Sequence, residues 1–172
     1  QDDASFARHL GRWNTGVQFM TPPEGLVPGD TPEARRAYIT AHTTGRLVAW
    51  DPVNQREVWG IDRAWPWSGG TLATGGNLVF QGTSDGTFHA YNAANGQELW
   101  TFQQERGIMA GPISFRADGV QYVAVVAGYG GSMGVASDSP EMRRPAANGM
   151  LLVFRIGGTG QMPELPPYQP PP

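Results

Sequence analysis

From residue 46 onward the chain alternates short apolar runs with turn-forming residues. RLVAW, REVWGI, GGTLAT, NLVFQG, TFHAYN, QELWTF, AGPISF, VQYVAVVAG and MLLVFRI follow one another, rich in β-branched and aromatic residues. Each run is short and bounded by Gly, Asn, Asp or Pro, which predicts strands rather than helices. The breaks predict the turns: DPVNQ, Gly75-Gly76, Asp85-Gly86, AANG and Asp118-Gly119. Asn, Asp and Gly tolerate the backbone that hairpin turns require. Residues 1–44 have a different pattern. They are irregular around the cluster WNTGVQFM, and TPEARRAY (31–38) predicts one short helix. Thr31 is placed to cap it, Pro32 suits its first position and Glu33 its first turn. The division read from the pattern is therefore 1–44, 45–157 in strands, and a Pro-rich tail at 158–172. A Gly-, Ser- and Pro-rich loop at 128–148 interrupts the strands. The tail cannot join a central strand because proline lacks the N–H.

The strands repeat. Residues 44–61 read TGRLVAWDPVNQREVWGI, and residues 85–102 read DGTFHAYNAANGQELWTF. A complete four-strand cycle spans 70–102, preceded by the last two strands of one cycle and followed by the start of another. Four antiparallel strands with a period of roughly forty residues are the mark of a β-propeller blade. The fold class is therefore all-β. Trp59 and Trp100 recur at the end of each phrase. They are expected to lie flat against neighbouring blades, with the indole N–H on a backbone carbonyl. Asp51 and Asn92 are expected to hold the turns through their side chains. One full blade and two partial ones do not close a ring that typically needs about four to eight. The segment is therefore expected to be incomplete on its own, and to self-associate or unfold when isolated.

Composition narrows the chemistry. The net charge is −3, which gives no electrostatic reason to bind nucleic acid. All twelve basic residues are Arg, so Schiff-base chemistry and Lys-dependent phosphate loops are excluded from these residues. There is no Cys, so disulfides, thiolate metal sites and covalent c-type haem are excluded as well. The longest apolar run, Tyr122 to Ala127, is too short to form a transmembrane helix. The first residues lack a charged-then-apolar signal pattern and do not begin with Met, which suggests a processed or partial chain.

The segment GRLVAWDPVNQREVWGIDRAWPWSGGTLATGGNLVFQGTSDGTFHAYNAANGQELWTF, followed by GYGGS and GMLLVF, resembles the C-terminal part of pyrroloquinoline quinone (PQQ)-dependent alcohol dehydrogenases. AYNAANGQELW (90–100) and AWDPVNQREVW (49–59) look like that family's tryptophan-docking motif AxDxxxGxxxW. Asn92 replaces the Asp in the first, and Gln55 replaces the Gly in the second. The resemblance implies C-terminal blades of an eight-bladed propeller. It implies PQQ near the ring axis with Ca²⁺ beside it, a carboxylate base, and hydride passing from an alcohol or aldehyde substrate to the quinone. The family's metal ligands, catalytic Asp, stacking Trp and disulfide cysteines correspond to residues outside this chain, so no catalytic or metal residue is assigned within it. What it carries over is late cofactor contact. Trp67, Ser68 and Gly69 stand where family members have a Trp before the GG of this strand. Gly131 and Ser132 follow the GYGG loop. An anionic planar quinone calls for flat walls, N–H donors and close backbone approach, which such residues supply. The implied partners are the remaining N-terminal propeller chain and a c-type cytochrome, and the implied compartment is the periplasm.

Docking motifs also occur in non-catalytic propellers that serve as assembly scaffolds, which is the alternative reading. WSGGTLATGGNLVFQG with GYGG favours the enzyme. His89, in mid-strand, reads as an ordinary sheet residue rather than a general base, and Asp85-Gly86 as a hairpin turn rather than a metal loop. Asp138 and Glu141 read as solvated acids near Arg143 and Arg144, and Trp13 and Phe19 as candidates to cover the funnel mouth.

Overall fold

The computed structural model describes residues 31, 34, 38, 41, 44–63, 68–128 and 149–163. The chain divides into two compact units, Gln1–Thr44 and Gly45–Pro172. In the first unit Ala34, Tyr38 and Ala41 are helical, and the Ala34 N–H donates to Thr31 Oγ1 at 3.2 Å. That is the cap expected of a Thr three residues ahead. Trp13, Phe19 and His42 lie outside the described residues, as do Asp138, Glu141, Arg143 and Arg144.

The described residues of the second unit form nine strands: β1 Gly45–Asp51, β2 Arg56–Arg63, β3 Ser68–Ala73, β4 Leu78–Thr83, β5 Thr87–Asn92, β6 Glu98–Gln103, β7 Ile113–Ala117, β8 Val120–Ala127 and β9 Met150–Phe154. They form three antiparallel sheets, ordered β1-β2, β3-β4-β5-β6 and β7-β8-β9. The middle sheet is the complete four-stranded blade that the repeat predicts, flanked by two partial ones. Three sheets do not make a closed ring.

The turns follow the sequence chemistry. β7 and β8 are joined by Asp118 (φ 50°) and Gly119 (φ 79°), both in the left-handed region, as a two-residue type I′ hairpin demands. Asp85-Gly86 is a hairpin turn. The connection from β3 to β4 is the expected Gly75-Gly76 turn: the two glycines are the central residues of a turn closed by the Asn77 N–H, which donates to Thr74 O at 3.2 Å. It runs over residues 74–77, and its left-handed residue is Asn77 (φ 62°). The Asn77 side chain donates to Asn92 Oδ1 at 3.1 Å, so it ties this turn to the next one. Local amide bonding of this kind lets Asn occupy a backbone region otherwise left to Gly.

The repeat has a physical origin in the contact between β2 and the turn after β5. Trp59 Nε1–H donates to Ala93 O at 2.8 Å, and a Cβ on Gly96 would stand 2.8 Å from the Trp59 ring. Gly96 also has φ 73°. Glycine therefore serves twice here, supplying the backbone conformation and a flat seat for indole. Asp51 accepts from the Val53 and Asn54 amides, and Asn92 from the Ala94 amide, as their places in the motif require. Gln55 holds the same place as Gly96 one repeat earlier and has φ 53°. A side chain in that conformation costs about 1–2 kcal/mol. We expect Gln55→Gly to raise the unfolding free energy of the protein by about 1 kcal/mol once the added unfolded-state entropy of Gly is subtracted. Urea denaturation checks this. Trp100 departs from expectation: no hydrogen bond of its indole occurs among the described residues. Its ring meets Phe88 and Phe154 edge-on, at 6.3 and 5.3 Å. The sheet it faces lacks a docking turn, because residues 110–131 contain no AxDxxxGxxxW unit.

The middle sheet has two unlike faces. On one, Phe80, Phe88 and Phe102 join Val123, Val125, Leu152 and Phe154 of the third sheet, with Ile108 of the linking loop, to form the apolar core. On the other, Gln81, Thr83, Thr87, His89 and Tyr91 are buried and polar. The outermost faces of the three-sheet array are apolar and exposed. Val48 and Trp50 project from β1, and Ile113, Val126, Leu151 and Val153 from the third sheet. Apolar faces of this extent are what adjoining blades would cover.

Candidate functional site

Ser68 begins β3 and pairs with Thr83 at the end of β4, with a register irregularity between Ser68 and Thr71. Gly69, inside that irregularity, is buried. A Cβ there would lie 2.8 Å from the carbonyl oxygens of both Ile108 and Ala110. Its lack of a side chain is therefore required by the loop that crosses β3. Gly70 is exposed and faces Gly111: a Cβ on Gly70 would stand 3.0 Å from Gly111 Cα. The two glycines leave a strip of bare backbone beside the start of β3. Trp67, Gly131 and Ser132 lie outside the described residues.

The start of β3 and the end of β8 meet at one rim. β3 begins there at Ser68, and β8 ends there at Ala127, next to Gly128. The loop between β6 and β7 joins them. Ile108 pairs with Gly128 in a parallel bridge, and the Gly128 N–H donates to Gly107 O at 2.8 Å. The Ile108 N–H donates to Thr83 O at 2.9 Å. The loop is braced from within. The Arg106 N–H donates to Gln104 Oε1 at 2.8 Å, and the Gln104 Nε2 amide donates to Arg106 O. Arg106 is buried, its Nε has no hydrogen-bond partner, and no described carboxylate pairs with it. Sequence reasoning gave Gln104, Arg106 and Ile108 no role and read Gly111 within the strand AGPISF, whereas β7 begins only at Ile113. The available signal was the loop's small residues between two strands, which permit backbone to pass close to backbone.

His89 lies on the polar face. Its Nδ1 is 2.7 Å from Glu98 Oε2, its Nε2 is 3.4 Å from Thr83 Oγ1, and its ring stacks on Tyr91 at 5.4 Å. Thr83 Oγ1–H donates to Asp85 Oδ1 at 2.6 Å. Arg63, from β2, reaches Tyr91 Oη and Gln81 Oε1 across the seam between the first two sheets. A histidine whose Nδ1–H donates to Glu98 and whose ring is stacked within a buried sheet face is an ordinary sheet residue, as the sequence indicated. Burial pushes its pKa below the usual 6.5, with the Arg63 charge acting in the same direction and Glu98 opposing. Burial pushes the Asp85 carboxyl up, but hydrogen bonds from Thr83 and Thr87 outweigh it and hold the pKa below 3.8. The sign of the linkage follows. The unfolded chain binds the His89 proton more readily, so stability is full above pH 6.5 and falls as pH drops below it. We expect the melting temperature to fall on acidification from pH 7 to about 5, and His89→Gln to flatten that slope, measured by thermal scans across pH. Among the described residues no group of three His, Asp or Glu gathers to hold a metal.

This geometry defines a class: propeller blades locked by a docked tryptophan, with the start of β3, the Gly107–Gly111 loop and Gly128 meeting at one rim. Residues 5–123 match the family model described as the glucose/ethanol/alcohol dehydrogenase β-propeller domain of the PQQ type. The chain belongs to that family. It is 43% identical over 164 residues to the dehydrogenase subunit of the quinone alcohol dehydrogenase of Acetobacter aceti, covering 93% of this chain and 21% of that protein. It is 45% identical over 125 residues to the 1-butanol dehydrogenase (cytochrome c) of Thauera butanivorans, covering 73% and 18%. The crystal structure of the quinohemoprotein alcohol dehydrogenase of Comamonas testosteroni superimposes with a TM-score of 0.62 at 43% identity, covering 70% of this chain and 18% of that one. The chain thus spans about a fifth of the length of the relatives it matches.

Proposed function

We propose that these blades belong to a PQQ-dependent dehydrogenase that oxidises alcohols or aldehydes, and that they furnish late contacts to its quinone. The observation that carries this reading is the meeting of the WSGG strand and the Gly128 segment on the Gly107–Ile108 loop. The described residues fit the cofactor. Gly70 and Gly111 leave bare backbone for a flat ring, and buried Arg106 is a cation that an anionic ligand would compensate. The quinone, when bound, accepts the hydride. In this reading Trp67 forms part of the flat wall, Ser68 and Ser132 offer hydroxyl and N–H donors, and Gly69 and Gly131 allow close backbone approach. The base and the ligands of a metal ion, Ca²⁺ by the family resemblance, come from blades outside these residues. The proposed electron acceptor is a c-type cytochrome, in keeping with the relatives named for cytochrome c and haem. The proposed compartment is the periplasm.

The test uses a ring completed by the remaining blades. Trp67→Ala and Gly131→Val are expected to release PQQ during gel filtration, read from the quinone absorbance, while the far-ultraviolet circular dichroism is unchanged. Full retention in both variants rejects the site. A completed wild-type ring that takes up no quinone favours the assembly-scaffold reading.

A further inference from the structure

We infer that Ile108 is a positioning residue: it sets the β3 start and the Gly128 segment in register with one another. The inference rests on the proposed cofactor role of those two segments. Three observations carry it. The Ile108 side chain is fully buried, and its Cγ2 occupies the space above Gly82, where a Cβ would stand only 2.1 Å away. That fixes the residue over the end of β4. Its carbonyl occupies the space beside Gly69, and its N–H is spent on Thr83 O, so the backbone locates the beginning of β3. Its bridge to Gly128, reinforced by the bond to Gly107 O, locates the end of β8.

This arrangement is unusual for a loop. Loops run over surfaces because buried backbone needs partners. Here the partners are the candidate segments themselves. A shift of the Ile108 backbone therefore moves both segments, whereas loss of an ordinary core side chain leaves them in place. Leu152 provides the comparison. It is buried in the same apolar cluster but sits on β9, paired with Val125 and away from β3.

The experiment compares Ile108→Ala, Ile108→Val and Leu152→Ala in the completed ring. Amide hydrogen exchange at Gly128 and the PQQ dissociation constant are measured alongside the melting temperature. Ile108→Ala is expected to speed Gly128 exchange and to raise the dissociation constant by about tenfold. Ile108→Val, which keeps the branched side chain, restores both. Leu152→Ala lowers the melting temperature but changes neither. Equal loss of cofactor in Leu152→Ala, or unchanged Gly128 exchange in Ile108→Ala, overturns the inference. If the wild-type ring binds no quinone, the proposed function fails. The Gly128 exchange of the three variants then decides by itself whether Ile108 couples the segments.

Discussion

Trp59→Ala is expected to destabilise the protein by about 3 kcal/mol, near the lower end of the range for large aromatic truncations because the ring is only partly enclosed. Two separable contributions make up the loss. The indole face is seated on Gly96, where any side chain would collide with it, and its N–H is spent on Ala93 O. Trp59→Phe keeps an aromatic face and removes the hydrogen bond, so it should cost about 1 kcal/mol for the bond itself plus some lost packing. Gly96→Val attacks the same contact from the other side and adds strain at φ 73°. If both act through one interface, the double variant Trp59→Ala/Gly96→Val will be clearly less damaged than the sum of the singles. Urea denaturation followed by circular dichroism reads all of these. Strict additivity would mean that Trp59 does not dock on Gly96.

The same contact explains what was legible in the sequence. A blade must present a flat seat at a fixed distance from the ring that sits on it. The aromatic-Asp/Asn pair and the Trp therefore recur at constant spacing, with the seat Gly kept in one copy, and the fold could be read from the two. Gln55 illustrates the limit of that reading. It breaks the motif at one position, yet the backbone keeps the left-handed turn that the motif dictates, because the strands on either side enforce it. At the next turn the two adjacent glycines marked the turn, whereas the bond from the Asn77 side chain to Asn92, distant in sequence, left no local pattern to read.

The rim was less legible for a physical reason. Ser68 and Gly69 were picked out through the family resemblance of the strand they open. The residues that hold them, Gln104 to Ala110, form neither helix nor strand, and their contacts are backbone atoms meeting backbone atoms. Such contacts leave little trace in side-chain chemistry beyond a demand for small residues. The polar face behind His89 was hidden differently. Alternation along β5 reads as one face towards a core and one towards solvent. Instead the polar face is covered by its neighbour, with Arg63 of β2 reaching across to Tyr91.

The turn at Asp85-Gly86 lies where the polar face meets the rim, and a side chain at Gly86 would disturb both. Gly86 has φ 89°, a conformation that penalises any side chain by about 1–2 kcal/mol. A Cβ would also stand 2.1 Å from Gln104 O and 2.8 Å from Arg106 O, both backbone atoms of the braced loop. Neither can swing aside as a flexible side chain would. The Gln104 N–H donates to Gly86 O, and Gln104 in turn holds Arg106. Relieving the clash therefore requires the loop to lift, at a further cost of about 1–3 kcal/mol typical of overpacking. Gly86→Ala is expected to lose about 3 kcal/mol in total. Because the lifted loop also carries Gly107 and Ile108, exchange at the Gly128 amide should rise with it. Gly119→Ala provides the control. Its φ is 79° but nothing lies within 4 Å of the added methyl, so only the conformational penalty applies. Denaturation curves that place the two variants at equal stability would show that the loop yields freely, and that the rim is not held by the backbone contacts at Gly86.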